Sequence, residues 1–186
     1  MSVRQSLLAL LDGGESYGYQ LRSEFERRTG GTWPVNIGQV YSTLDRLERD
    51  GLVAAGARNE EGQRPYAITA AGREVVRTWF DEPVLRSGLA RDELAMKLAL
   101  AVSRGDEEVR RVIQTQRSAT LRTLQDLTRT KLAGERDDGP DTRGGRAGTP
   151  DDIAGALVLE SLIFQVEAEA RWLDYAEATL TRKAAR

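Results

Sequence analysis

Two residue types are absent from this 186-residue chain: cysteine and histidine. Without cysteine there is no disulfide and no thiolate, and carboxylates remain as the only side chains commonly used to ligate metals. A zinc site and a thiol-based sensor are excluded, as is every catalytic triad that needs a histidine or cysteine as base or nucleophile. No nucleophile–base constellation stands elsewhere, so an enzyme is not expected, and neither is a cofactor. Long apolar runs are lacking too. None approaches the roughly 20 residues of a membrane span, and the first residues do not form a basic-then-apolar signal segment. The expected setting is the cytoplasm, with no membrane partner. Nor is there an excess of positive charge. The formal net charge is −2 and the pI about 5.4, whereas a DNA-binding domain often exceeds about 9. Residues 1–80 hold ten arginines and ten carboxylates, so that half is neutral. Contact with nucleic acid has to come from where individual arginines stand.

What is present is 40% hydrophobic and 30% charged, a composition that suits a globular, mainly α chain. The strongest local signal is Asn36–Gly51. Asn36 can cap a helix, and Gln39 stands three residues on, where a capping box needs it. Ile37, Val40, Tyr41, Leu44 and Leu47 recur at steps of three and four and draw one apolar stripe. The other face carries Gln39, Ser42, Thr43, Arg46 and Arg49, and Gly51 suits the left-handed position that ends a helix.

Two short helices precede it. Ser2 to Gln5 reads as a capping box before an apolar helix, and Ser16 as the cap of a second helix running through Leu21 and Phe25 to Arg28. After Gly51, Leu52–Ala55 reads as a strand, Arg58–Gln63 as a turn and Arg64–Thr69 as the return strand. Pro65 predicts an edge position for that strand, because proline cannot donate to a ladder. Thr69 then caps a helix over Ala70–Phe80. Three helices followed by a two-stranded ribbon outline a winged helix-turn-helix over residues 1–80, in which the third helix enters the DNA major groove.

Residues 81–90 read as a hinge. Beyond it, 91–186 predicts a helical dimerisation domain: a helix over Arg91–Ser103, long helices over Asp106–Ala133 and Asp151–Lys183, and a disordered tether at 134–150. The last helix carries Ala156, Leu159, Ile163, Val166, Ala170, Leu173 and Leu180 at coiled-coil spacing. The matching stripe on the preceding helix is weak, since Gln116 and Thr120 stand among Val109, Ile113, Leu124 and Leu127. The seam of Leu159, Ile163, Val166, Ala170, Leu173 and Leu180 is therefore expected to join two copies in a homodimer. Trp79, Phe80, Phe164, Trp172 and Tyr175 are candidates for an apolar ligand pocket, although aromatics at helical spacing more often belong to a core.

Tyr17-Gly-Tyr-Gln-Leu21, Gly38–Val53 and Arg64-Pro-Tyr-Ala-Ile-Thr-Ala-Ala-Gly-Arg73 together resemble the PadR family of bacterial transcriptional regulators, in order and in spacing. The resemblance covers roughly residues 3–80; past residue 90 it is architectural only. It implies a dimeric winged-helix repressor that binds a palindromic operator and is released by a small molecule. Carried over by position, Tyr19, Gln39, Tyr41, Ser42, Thr43 and Arg46 would lie at the DNA, and Arg64 would serve the wing; Asn36 at the helix start and Arg58 in the wing turn are further candidates for DNA contact. Pro65 replaces a residue that is usually basic in the family, and Glu60 and Glu61 make the wing tip acidic. The alternative is a winged-helix protein-interaction module whose C-terminal helices bind a partner protein, which the neutral N-terminal half favours.

Overall fold

The computed structural model describes residues 3–84, 92–137 and 150–184. In chain order it contains α1 (Val3–Leu11), β1 (Ser16–Tyr17), α2 (Gly18–Arg28), α3 (Ile37–Arg49), β2 (Val53–Ala55), β3 (Pro65–Ile68), α4 (Ala70–Asp81), α5 (Glu93–Val102), α6 (Asp106–Asp137) and α7 (Pro150–Ala184). The chain divides into two compact units. One holds α1 to α4, the strands and the start of α7 through Gly155; the other holds α5, α6 and α7 from Ala156.

In the first unit, α1, α2 and α3 enclose a core of Leu7, Leu8, Leu11, Leu21, Phe25, Val40, Leu44 and Leu47, completed by Val53, Tyr66 and Ile68 from the strands and Val76 from α4. The expected stripe of α3 is buried at Val40, Leu44 and Leu47, while Ile37 is half-buried and Tyr41 more exposed. Asn36 caps α3 as read, its Oδ1 accepting from the Gly38 N–H at 2.7 Å. The reciprocal bond from Gln39 to Asn36 does not form among the described residues. Gly51 takes φ 72°, the left-handed geometry that ends the helix. Thr69 caps α4, its hydroxyl oxygen accepting from the Gly72 N–H at 3.1 Å.

Three sequence expectations are corrected. The ribbon is a three-stranded antiparallel sheet in the order β1-β3-β2. Pro65 thus opens the central strand, opposite Tyr17, instead of lying on an edge. It is tolerated because it is the strand's first residue, and its carbonyl still accepts from the Gly56 N–H at 2.8 Å. Ser16 belongs to β1 and does not cap α2; the cap residue is Tyr17, whose N–H donates to Gln20 Oε1 at 2.9 Å. The Ser2 cap and residues 85–91 and 138–149, which take in most of the expected hinge and tether, lie outside the described residues.

In the second unit, Leu98 and Ala101 of α5, Val109 and Ile113 of α6 and Leu173 of α7 form the core, with Leu180 packed against it. The polar gap in the α6 stripe has a partner. Gln116 Nε2 donates to Glu169 Oε1 at 2.9 Å, and the hydroxyl of Thr120, itself buried, donates to the same oxygen. Arg117 donates to both Asp174 and Glu177, and Lys131 pairs with Glu160. These rungs fix α6 and α7 antiparallel. Among the described residues, no helix is long and apolar enough to cross a membrane.

Candidate nucleic-acid interface

The face of α3 turned away from the core presents Gln39, Ser42, Arg46 and Arg49 at successive steps of three, four and three, with Thr43 beside them. Gln39, Ser42, Arg46 and Arg49 are exposed and Thr43 is half-buried. The Gln39 side-chain amide bonds to no described residue, so both its donor and its acceptor are available for a base edge. Ser42 Oγ and Thr43 Oγ1 both donate to the Gln39 carbonyl, at 3.1 and 2.7 Å. With their protons directed into the helix, the two hydroxyls present acceptor lone pairs outward.

Charge is sorted in this unit. Of the ten arginines in residues 1–80, seven pair with carboxylates: Arg4 with Asp50, Arg22 with Glu26, Arg27 and Arg28 with Glu24, Arg64 with Glu48, Arg73 with Asp12 and Arg77 with Glu74. Arg58 donates to the Gly62 carbonyl at 3.1 Å. Arg46 and Arg49, both on α3, have no partner among the described residues. The pairing also acts on the acids. The Arg27 guanidinium holds the Glu24 carboxyl below its ordinary range, assisted by Arg28, and Arg22 does the same to Glu26. Asp45 is the one carboxylate on α3 besides the paired Glu48.

Tyr41 is positioned by a glycine. A Cβ on Gly18 would fall 2.6 Å from Tyr41 Cε1, so the ring of Tyr41 lies directly on the first turn of α2. Tyr41 keeps 38% exposure and Tyr19 47%. Tyr19 stacks on Tyr17 with centroids 5.9 Å apart.

The wing departs from expectation. Arg64 Nη2 bonds Glu48 Oε1 at 2.8 Å and the guanidinium lies 5.8 Å from the Tyr66 ring centroid. It ties the strand to α3 and is not held out from the surface. Burial raises the Tyr66 phenol above its ordinary range, against the lowering field of Arg64. The wing turn is built by Asn59, which receives the Gln63 N–H at 2.8 Å, and Glu60 and Glu61 remain exposed on it.

The remaining candidates belong to different units or find other roles. Trp79 and Phe80 form a tilted pair, 4.9 Å between centroids, in the first unit. Phe164, Trp172 and Tyr175 are exposed on α7 in the second. The cleft between α6 and α7 is lined by Asp106, Val109, Arg110, Ile113, Glu177, Leu180 and Thr181 and includes none of these aromatics. The expected dimer seam is occupied within the chain: Leu173 and Ile163 are buried, Leu180 packs on the α5–α6 core, and Leu159, Val166 and Ala170 are half-buried. The sequence places Arg49 on the polar face of α3 but not among the candidates for DNA contact, and it marks Gly18 only as part of the Tyr-Gly-Tyr block.

Helices α1 to α3 with a strand pair returning over them are the parts of a winged helix-turn-helix, here joined to a helical C-terminal unit. The profile described as the transcriptional regulator PadR-like family matches residues 7–78, and that described as virulence activator alpha C-term matches residues 90–181. Residues 7–78 thus form a PadR-like domain. A probable transcriptional regulator of Mycobacterium tuberculosis is 31% identical over 87 residues, 45% of this chain and 46% of the relative. The negative transcriptional regulator PadR of Bacillus subtilis is 24% identical over 132 residues, 67% of this chain and 70% of that one. The chain spans about half the length of the first curated relatives it matches. In fold, it is similar to B. subtilis PadR solved in complex with operator DNA, with TM-score 0.69 and 21% identity over 97% of this chain and 99% of that one. The Vibrio cholerae virulence activator AphA gives TM-score 0.69 and 23% identity over 97% and 98%.

Proposed function

We propose that the chain is a transcriptional repressor that acts as a homodimer on a palindromic operator, one α3 entering the major groove at each half-site. The observation that carries this reading is the sorting of charge: in a neutral unit, the arginines without a partner among the described residues are Arg46 and Arg49, on the face that also holds the Gln39 amide, which bonds to no described residue. Arginine pairs with guanine or phosphate, and glutamine pairs bidentately with adenine. Ser42 and Thr43 add acceptors that suit a base amino group. Asn36 orients the helix start, and Tyr19 and Tyr41 flank it with hydroxyls within reach of a phosphate. Arg58 is the wing residue best suited to a phosphate; Arg64 holds the wing to α3. Release by a small molecule belongs to the same reading, and B. subtilis PadR has been solved with p-coumaric acid. With no histidine or cysteine, an effector would be recognised by packing, arginines and hydroxyls.

Footprinting the region upstream of the chain's own gene tests the reading. The expected result is protection of two half-sites about 34 Å apart, lost steeply as salt rises. If no site is protected and retention on genomic DNA does not depend on salt, the chain is instead a protein-interaction module.

A further inference from the structure

A second line of residues runs along α3 beside Gln39 and Arg46. Gly38, Ser42, Asp45 and Arg49 follow at steps of four, three and four, which sets them one above another on the helix. All four are exposed. A helix that brings Ser42 and Arg49 to a groove therefore brings Asp45 there too, because it stands between them. An acid on a face that meets a polyanion weakens binding unless a hydrogen-bond donor meets it.

The pairing of charge also sets Asp45 apart. The other carboxylates on α2 and α3 are Glu24, Glu26 and Glu48, and each binds an arginine. Asp45 bonds to no described residue. Arg49 stands four residues on, at the spacing and in the order that favour an ion pair on a helix, yet the pair is not made. The Asp45 oxygens are thus left to accept from outside the chain, and a carboxylate can only accept.

Base chemistry narrows what can meet it. In the major groove guanine offers the acceptors N7 and O6, and thymine offers the acceptor O4, so both repel a carboxylate. Adenine offers its N6 amino group with the acceptor N7 beside it, which opposes the second carboxylate oxygen. Cytosine offers the N4 amino group alone, and it satisfies the acid at least cost. Aspartate is short, but Gly38 and Ser42 on the same line are small and let the backbone approach the groove floor.

We propose that Asp45 is a specificity-determining residue that accepts from the N4 amino group of one cytosine in each half-site and rejects guanine and thymine there. This rests on the reading of α3 as the recognition helix. It adds a repulsive filter to the attractive contacts of Gln39 and Arg46, and specificity needs both.

Selection of half-sites from a pool of randomised duplexes, with the full chain and its variants, tests it. The wild type is expected to favour cytosine roughly tenfold at one position in each half-site. Asparagine carries a donor and an acceptor, the pattern that matches N6 and N7 of adenine, so Asp45→Asn should turn that one preference from cytosine to adenine. Asp45→Ala should make the position indifferent, while binding to unrelated DNA tightens because a charge that repels phosphate is gone. Preferences at the other positions should not move, and helicity by circular dichroism should be kept because the side chain is exposed. Should Asp45→Asn fail to fold, Asp45→Ala and Asp45→Glu still decide: the first should lose the cytosine preference, and the second, which keeps the acceptor, should retain it. A wild type whose half-sites demand no cytosine, or variants that select the same bases as the wild type, overturns the inference and leaves DNA binding in place. If the wild type selects no sequence at all, the reading of α3 itself falls.

Discussion

Replacing Gly18 with alanine isolates the contact that seats the recognition face. Gly18 does not have a positive φ, so the substitution acts through space alone. The new methyl carbon would lie 2.6 Å from Tyr41 Cε1 and 2.9 Å from Cζ. Carbon atoms in contact rest at about 3.5–4.0 Å, so the ring has to retreat by about 1 Å. Overpacking of this kind costs about 1–3 kcal/mol, while alanine in place of helical glycine returns at most ~1 kcal/mol. Since Tyr41 keeps 38% exposure, its ring can swing toward solvent, which sets the net cost near the low end. We expect a net destabilisation of about 1 kcal/mol or less by urea unfolding with unchanged m-value. Tyr41 and Ser42 are neighbours on α3, so a displaced ring shifts the recognition face as well. Operator affinity in a gel-shift titration is expected to fall roughly tenfold, equivalent to ~1.4 kcal/mol. A double-mutant cycle makes the reasoning refutable. In a Tyr41→Ala background the methyl meets no ring, and Gly18→Ala should be neutral or stabilising, a coupling of about 1–3 kcal/mol. Equal effects in both backgrounds, within about 0.5 kcal/mol, would show that the ring contact is not what Gly18 provides.

Gly72→Ala should be more damaging, about 3 kcal/mol or more by urea unfolding, because its Cβ would fall 2.2 Å from the Leu52 carbonyl oxygen, a backbone atom that cannot rotate away. Arg46→Ala and Arg49→Ala should each weaken operator binding and reduce the slope of log K against log salt by about 1. Arg64→Ala should leave that slope unchanged and lower the thermal midpoint instead, since its partners are Glu48 and Tyr66. Operator binding should be flat from about pH 6 to 8, because no histidine or cysteine titrates there; a change above twofold in a buffer-matched titration would contradict this. Below that range the sign is fixed by Glu24 and Glu26, whose carboxyls are held low by arginines. Their contribution is present above the ordinary carboxylate range and is lost as pH falls through the lowered values, so the melting temperature should fall with acid.

The α3 helix was legible because three independent signals coincide on it: a capping Asn36, a stripe of period 3.6 and a terminating Gly51. The sheet was less legible. Strand β1 is two residues long, and Ser16–Tyr17 carries no alternation from which pairing with β3 follows; the same shortness gave Ser16 the look of a cap. Pro65 misled for a related reason, because the rule concerns a missing N–H and at a strand's first residue that loss falls where the ladder begins. The α7 seam was real in spacing but ambiguous in address. A helix apolar on two sides does not say in its sequence which side its own chain covers, and Gln116 and Thr120 looked like gaps because their partner, Glu169, is 53 and 49 residues away. The wing arginines illustrate the opposite limit: sequence marks Arg64 as basic, but only geometry gives it to Glu48.

The neutral N-terminal half, at first sight an argument against nucleic acid, becomes intelligible through the pairing of its charges. Exposed ion pairs contribute about 0–1 kcal/mol each, so the seven arginine–carboxylate pairs of this unit add little to stability. Their larger effect is on the surface field, because among the described residues they leave positive charge without a carboxylate only on α3 and at Arg58 of the wing turn, which donates to a backbone carbonyl. On α3 that leaves two uncommitted guanidiniums in each copy. Neutralising one phosphate contributes a salt slope of about −0.9, so one copy would reach roughly −2 from Arg46 and Arg49, a weak hold at physiological salt. Two copies held at a fixed spacing would reach roughly −4 and would present two amides of Gln39 to two half-sites at once. A module with so little free charge would gain operator affinity by duplication rather than by additional lysines. Holding two copies together is therefore expected to matter as much to binding as any residue on α3: a folded variant that light scattering shows to be monomeric should weaken operator binding while Arg46 and Arg49 remain in place.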